Sequence, residues 1–272
     1  MIRFKETLPR AAFGSILALG LLVQACGEAP VSPGVGLNRE PQVQATYTTP
    51  PRATGVTREG EGRVLSGRAA PSARVRLATP EGEVRMSEAD AKGAWRIGLP
   101  VTDAPQIFGL SMTLGERTIQ AEGYQLVLPD DRLVLLRAGA GAVVAEAPST
   151  PVDGPTTPRL LAFDFDEEGG AVVSGQATPE IGLSIRIDGR PVSTDGATDA
   201  QGRFSLPFGA PVPPGTHRID VMGEQLVLTA QVDATPAEPP ESGAFTARPT
   251  SSGLRIDWLT PGGGVQSTLL LD

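Results

Sequence analysis

The chain contains two copies of one sequence unit, and this repeat constrains the fold more than any other feature. Val64–Pro71 and Val172–Pro179 agree at five of eight positions. Each is followed by an Asp-x-x-Gly-x-aromatic segment, at Asp90–Trp95 and Asp199–Phe204. The matches occur in the same order, and the unit is too long for a solenoid of short repeats. The sequence therefore predicts two modules in tandem.

A third pair of segments, Gly115–Leu128 and Gly215–Leu228, agrees at seven of 14 positions. On this alignment the first copy carries nine extra residues within Val101–Leu114. Apolar residues alternate there with small or polar ones, which is typical of a strand. The apolar residues are Phe108, Leu110, Met112 and Leu114. We expect an added strand that covers the core, and the alternative is an exposed apolar edge that serves as a contact site.

Short alternating runs dominate the rest of the chain. Leu183–Ile187 and Arg203–Leu206 alternate apolar and polar residues, as half-buried strands do. After the N-terminal segment no stretch of about 11 residues places apolar side chains at helical spacing. The 33 glycines and 26 prolines fit a chain of many turns. The sequence predicts an all-β protein.

The repeated motifs resemble the bacterial immunoglobulin-like domains of the cell envelope. Carboxypeptidase-regulatory-like and fibronectin-type sandwiches share the same turn pattern, and all of them are β-sandwiches. The resemblance implies two tandem immunoglobulin-like β-sandwiches, over residues 55–145 and 160–232. We expect Trp95 and Phe204, which follow tight Asp-Gly turns, to anchor the two cores.

The predicted organisation has five segments. Residues 1–25 form a lipoprotein signal peptide, and 26–54 form a tether rich in proline, threonine and glycine. Residues 55–145 form the first module, 146–158 a proline-rich linker, and 159–272 the second module. We expect a C-terminal hairpin that completes the second sandwich or docks between the modules.

Cys26, the only cysteine, follows a segment typical of secretory signal peptides. Basic residues precede the apolar run Ala11–Val23, which is too short to span a bilayer. Leu22–Cys26 resembles a bacterial lipobox. The resemblance implies that Cys26 carries acyl chains such as palmitate, and more than one chain is needed for firm anchoring. No Asp follows the cysteine, which favours the outer membrane. A secreted protein without lipid and a retained signal anchor are the alternatives.

The charge of the chain argues against nucleic-acid binding. The formal net charge is −8, and it becomes −10 without residues 1–25, which carry three basic residues and one acidic residue. Nucleic-acid binding depends on cationic contacts to phosphate. We therefore expect no nucleic-acid partner, and contact with the membrane through the lipid alone.

The sequence gives little support for a catalytic site. His217 is the only histidine and lies in an alternating stretch, which favours an ordinary surface position. Ser-His and Cys-His arrangements need partners that the chain does not supply. We expect no enzymatic activity and no cofactor.

Four acidic residues precede a glycine pair and form a weak candidate for calcium binding. They are Asp164, Asp166, Glu167 and Glu168. Calcium takes six to eight oxygen ligands, but the segment lacks the spacing of an EF-hand loop. A solvated acidic turn is the other interpretation, and we favour it.

Two functional hypotheses remain. The first is a non-enzymatic envelope lipoprotein that presents two modules in a structural, adhesive or assembly role, with an envelope protein or a glycan as partner. The alternative is a module that binds glycan or peptidoglycan, with Trp258 as a candidate contact. An exposed Trp258 in a concave face would favour the alternative, and a Trp258 packed in a core would count against it.

Overall fold

The computed structural model describes residues 48–145 and 157–272. Its regular elements are nineteen β-strands, which confirms the all-β prediction. Among the described residues there is no helix of the length and apolar character that crossing a membrane requires. Cys26, the predicted signal peptide and most of the predicted tether and linker lie outside these residues.

The first module contains nine strands arranged in two antiparallel sheets. Strands β1, β2 and β5 form one sheet, and the other has the order β4-β3-β6-β7-β8-β9. The strands are β1 (Arg52–Glu59), β2 (Gly62–Arg68), β3 (Arg74–Ala78), β4 (Val84–Glu88), β5 (Ala94–Leu99), β6 (Gln106–Leu114), β7 (Arg117–Val127), β8 (Leu133–Leu136) and β9 (Val143–Ala145).

The second module contains ten strands, also in two antiparallel sheets. One sheet has the order β14-β11-β10-β19-β18-β17, and the other has the order β13-β12-β15-β16. The strands are β10 (Arg159–Asp166), β11 (Ala171–Gln176), β12 (Gly182–Ile187), β13 (Arg190–Ala197), β14 (Arg203–Pro207), β15 (Thr216–Gly223), β16 (Leu226–Asp233), β17 (Phe245–Thr250), β18 (Gly253–Leu259) and β19 (Val265–Leu271).

The first seven strands of each module share one topology. In both modules the first, second and fifth strands form one sheet, and the fourth, third, sixth and seventh form the other. Seven strands in two facing antiparallel sheets form an immunoglobulin-like sandwich. Each module then adds its own strands at one sheet edge. In the first module β8 and β9 extend β7, and in the second β19, β18 and β17 extend β10.

The predicted nine-residue insertion in the first copy is wrong. The β6–β7 hairpin turns after Leu114, and its counterpart, the β15–β16 hairpin, turns after Gly223. Leu114 lies 21 positions beyond Gly93, and Gly223 lies 21 positions beyond Gly202. The two copies therefore have the same length here. The shared Gln-Leu-Val-Leu ends β7 but begins β16, so it aligned residues that are not structurally equivalent.

A glycine beneath an aromatic ring explains the first repeated motif. Gly67 of β2 pairs with Trp95 of β5, and Gly175 of β11 pairs with Phe204 of β14. A Cβ atom on Gly67 would lie 2.2 Å from the Trp95 ring, and one on Gly175 would lie 2.4 Å from the Phe204 ring. Both rings are buried in their cores. Only glycine leaves space for the ring to cross the neighbouring strand.

The Asp-x-x-Gly motif builds the turn that leads into each aromatic residue. Asp90 Oδ1 accepts hydrogen bonds of 2.8 Å from the backbone N–H groups of Lys92 and Ala94. The bond from Ala94 is the main cause that lowers the pKa of Asp90. Gly93 has a φ of +78°, and its carbonyl oxygen accepts a 2.9 Å bond from the N–H of Ala69. The equivalent turn of the second module repeats these bonds.

The apolar side chains form three cores. The first fills the first sandwich around Trp95, and the second fills the second sandwich around Phe163 and Phe204. The third core lies between the modules and takes residues from both. It contains Ile107, Leu126, Leu128, Val134, Leu136, Ala142, Ala162, Ile256, Trp258 and Leu270. The described residues of the two modules accordingly form one compact unit.

Replacing Gly67 by alanine is expected to destabilise the first module. The new methyl group overlaps the Trp95 ring, and overpacking of this kind costs about 1–3 kcal/mol. Gly98→Ala in β5 is the matched control, because a Cβ atom there meets nothing within 4 Å. We expect chemical unfolding to place the control within about 0.5 kcal/mol of the parent. Equal stability of the two variants would contradict this account of the motif.

Candidate functional site

The core between the modules is the most distinctive structural site in the protein. Trp258 of β18 is fully buried there and meets Tyr124 of β7 edge to face, with ring centroids 5.9 Å apart. Its indole Nε1–H donates to Thr268 Oγ1 at 3.2 Å. An aromatic pair of this geometry adds to the stability that burial alone provides. The ring therefore joins the two modules instead of facing solvent.

The C-terminal strands are covered on both faces. Ile256 and Trp258 face the junction, while Arg255 and Asp257 face the other side of the same strand. Arg255 Nε lies 2.7 Å from Asp257 Oδ1, and its guanidinium stacks over the ring of Phe165 at 5.0 Å. Both charged residues are at most 3% exposed. Because this buried pair is hydrogen-bonded, it avoids the large cost of an isolated buried charge.

A buried carboxylate connects the modules by hydrogen bonds. Asp164 of β10 is 2% exposed, and its Oδ2 accepts a 2.7 Å bond from the backbone N–H of Ala142 in the first module. Its Oδ1 accepts a 2.6 Å bond from the hydroxyl of Thr268. Since Thr268 also accepts the Trp258 bond, the indole, the hydroxyl and the carboxylate form one chain of hydrogen bonds.

Gln266 of β19 holds the β8–β9 turn against the second module. Its Nε2 donates to the carbonyl oxygens of Arg137 and Ala140 at 3.2 and 3.4 Å. Its Oε1 accepts a 2.9 Å bond from the N–H of Gly139. The side chain is 5% exposed, so the amide satisfies backbone groups that the packing removes from water.

Burial controls the protonation of Asp164. Loss of solvent raises its pKa from 3.8 to about 6. The hydrogen bonds from Thr268, Ala142 and Gln266 and the charge of Arg137 act in the opposite direction. The carboxylate is therefore held in the junction against a desolvation penalty that these groups offset only in part.

The structure does not bring the four predicted calcium ligands together. Asp164 points into the junction, whereas Glu167 and Glu168 are exposed at the β10–β11 turn. Asp166 Oδ1 accepts a 2.7 Å bond from the N–H of Gly170. The described part of the chain contains no group of three or more His, Cys, Asp or Glu residues placed to hold a metal ion. This geometry corrects the calcium hypothesis, because both carboxylate oxygens of Asp164 are bonded to Ala142 and Thr268 inside the junction.

The other candidate binding residues are also internal. Phe108, Leu110 and Met112 are each at most 2% exposed, since β6 lies between β3 and β7. The hypothesis of an exposed apolar edge at these residues is therefore wrong, because β6 is a central strand. Trp258 is packed in a core, which counts against a glycan contact at this residue.

His217 has a structural position in β15. Its Nδ1 lies 2.8 Å from Asp188 Oδ2, and its Nε2 lies 2.8 Å from the carbonyl oxygen of Pro213. Both ring nitrogens are therefore used to connect β15 to neighbouring loops.

A cleft beside the junction was not anticipated from the sequence. It has a volume of about 380 Å³ and runs between β9 of the first module and the β11–β14 face of the second. Val143 and Val144 line one wall, and Ser174, Gln176 and Ser205 are among the residues that line the other side. No local motif marks it, because these residues of its two sides are between 30 and 62 positions apart in sequence.

Comparison with known proteins provides distant structural similarity only. No family model matches the chain, and no curated protein matches it. It is similar to a solved structure described as a biofilm associated protein, BSP domain, with 13% identity, 70% of this chain and 30% of that chain covered, and a TM-score of 0.24. It is also similar to a structure described as a Ca²⁺-stabilized adhesin that helps an Antarctic bacterium reach out and bind ice. There the identity is 16%, the coverage is 80% of this chain and 59% of that chain, and the TM-score is 0.22. The chain thus spans less than two thirds of either structure.

Removing the Trp258 ring is expected to weaken the coupling between the two modules. Truncating a fully buried Trp to Ala costs about 3–5 kcal/mol. We expect the parent to unfold in one transition and Trp258→Ala to unfold in two, as followed by circular dichroism and by the fluorescence of Trp95. Val227→Ala is the control, since Val227 is 65% exposed. A single, unshifted transition in Trp258→Ala would show that the junction does not couple the modules.

The stability of the protein is expected to rise as the pH falls through about 6. The folded state binds a proton on Asp164 near pH 6, before the unfolded carboxyl titrates near 3.8. This group therefore contributes stability that is complete below pH 3.8 and is lost above pH 6, on the order of 3 kcal/mol. Asp164→Asn should reduce the dependence of the urea unfolding midpoint on pH between 4 and 6, and Glu167→Gln should leave it as in the parent. If Asp164→Asn keeps the parent profile, Asp164 is not the responsible group.

Proposed function

We propose that this chain is a non-enzymatic lipoprotein of the bacterial envelope that holds two immunoglobulin-like modules as one rigid body. The observation that carries the rigid-body part of the proposal is the buried junction around Trp258 and Asp164. Flexible tandem modules are joined by linkers with small polar contacts, whereas this junction has an apolar core and satisfied polar groups. A rigid pair suits a spacer or presenting role, in which the position of a binding surface relative to the membrane matters.

The anchor in this proposal is Cys26, supported by the lipobox resemblance of Leu22–Cys26. Two or three acyl chains on one cysteine hold a protein firmly to a bilayer, whereas a single chain binds only marginally. The segment after Cys26 would then connect the lipid to the first module, and the outer membrane is the proposed location.

The charge distribution supports an orientation with the second module away from the membrane. Residues 48–145 contain 12 basic and 11 acidic side chains, and residues 157–272 contain seven basic and 15 acidic side chains. Anionic membrane surfaces attract basic segments and repel acidic ones. The nearly neutral module therefore follows the proposed anchor, and the acidic module extends beyond it into the solvent, where an adhesive or assembly partner has access.

Changing Cys26 to serine tests the anchor directly. We expect the parent to fractionate with membranes and to incorporate labelled palmitate, and Cys26→Ser to lose both properties. Thermal unfolding of the two purified proteins is the control, because Cys26 lies outside the two sandwiches. A Cys26→Ser protein that still fractionates with membranes and matches the parent in stability would contradict the proposed lipoprotein.

A further inference from the structure

The cleft beside the junction combines a free strand edge with a polar surface. β9 pairs with β8 on one side, and no described strand pairs with its other side. Val143 and Val144 of β9 line the cleft, and Val143 is 37% exposed. An unpaired strand edge presents a row of backbone N–H and C=O groups, which is a template for another strand.

The side of the cleft opposite β9 has polar groups that lack good partners. Gln176 Oε1 is shielded from solvent and accepts no hydrogen bond. The hydroxyl oxygens of Ser174 and Ser205 approach each other only to 3.5 Å, at the limit of a hydrogen bond. A shielded acceptor without a donor is costly, so a ligand with N–H groups would be stabilised here.

The charged groups that line the cleft are paired with each other, so a ligand there does not need a charge. Arg203 Nη2 lies 2.8 Å from Asp199 Oδ2, and its Nε donates to the same oxygen at 2.9 Å. A ligand that supplies neutral hydrogen-bond donors and acceptors in an extended arrangement would therefore complement the cleft. A polypeptide backbone in strand conformation supplies both at regular spacing.

We propose that the cleft binds an extended segment of a partner polypeptide, which adds to the free edge of β9 as a further antiparallel or parallel strand. The added strand continues the β4-β3-β6-β7-β8-β9 sheet and lies over the β11–β14 face of the second module. It therefore extends the established junction, because one wall of the cleft belongs to each module. Strand addition of this kind takes affinity from main-chain hydrogen bonds and specificity from alternate side chains.

The side chains around the cleft indicate which sequences fit. Val143 and Val144 offer apolar contact, whereas Ser174 and Ser205 are small and polar. A segment that alternates β-branched residues with small polar residues places one type against each wall. This inference deepens the proposed presenting role by naming the class of partner, and it does not depend on the lipid at Cys26.

Selection from a phage-displayed library of random dodecapeptides tests the proposal on the purified full-length protein. We expect enrichment of alternating β-branched and small polar sequences on the parent. Ser205→Trp fills the cleft from β14 and should abolish that enrichment, and Ser205→Lys is a second blocking variant if the tryptophan impairs folding. Ser184→Trp is the matched control, since Ser184 is an exposed serine on β12, outside the residues that line the cleft. Enrichment that is equal on the parent and on both Ser205 variants would overturn the proposal.

Backbone chemistry then separates strand addition from binding by side chains. A synthetic copy of the selected peptide, N-methylated at alternate residues, loses the N–H donors of one edge. Two lost hydrogen bonds of about 1 kcal/mol each predict affinity weaker by more than tenfold. N-methylation should weaken binding when it removes the donors that face β9 and should have little effect when it removes those of the opposite edge. Equal binding of both methylated peptides would show that no strand forms.

A linker variant tests whether the cleft is occupied by a partner polypeptide or by the chain's own linker. Residues 146–156 are replaced by a Gly-Ser sequence of equal length. We expect the parent and this variant to select the same peptides with similar affinity. If only the Gly-Ser variant selects peptides, the occupant is the chain's own segment, and the proposed partner site is wrong. Because Cys26→Ser does not alter the cleft, loss of membrane fractionation and loss of peptide binding are independent results.

Discussion

The satisfaction of every polar group in the core between the modules is the constraint on which the rest of the structure depends. Trp258 gives that core its apolar volume, but the indole N–H, the Thr268 hydroxyl and the Asp164 carboxylate are buried with it. Each of these groups has a hydrogen-bond partner, and Asp164 accepts a bond from a backbone N–H group of the first module. Without these bonds, each buried polar group would carry its full desolvation cost, which would weaken the association of the two sandwiches.

The parts of the fold that could be predicted from the sequence are those determined by local geometry. The Asp-x-x-Gly turn requires a side-chain acceptor and a residue at positive φ, and both requirements are visible in six consecutive residues. The same holds for the alternation that indicated strands. The third repeat alignment failed because Gln-Leu-Val-Leu fits almost any position along a strand, whereas the hairpin turn determines the register.

Local sequence patterns do not predict the junction or the cleft, because the residues that form them are distant in sequence. The sequence groups Asp164 with Asp166 and the two glutamates, because the four acidic residues lie within five positions. Its neighbours Phe163 and Phe165 gave a contrary signal, since both face the second core and alternation therefore places Asp164 on the opposite face. What that face contacts depends on Ala142 and Thr268, and no pattern in the sequence pairs those residues.

The position of β19 has a consequence for the kinetics of folding. It lies between β10 and β18, and Leu269 pairs with Phe163, which is more than 100 positions earlier in the chain. Closing so long a loop brings a large entropic cost before its contacts form, and topologies rich in such contacts fold slowly. Until β19 pairs, the β10 edge and the apolar face of β7 and β8 would remain uncovered. In that interval an unpaired strand edge and an apolar sheet face are exposed together, which is when the chain is most prone to aggregate.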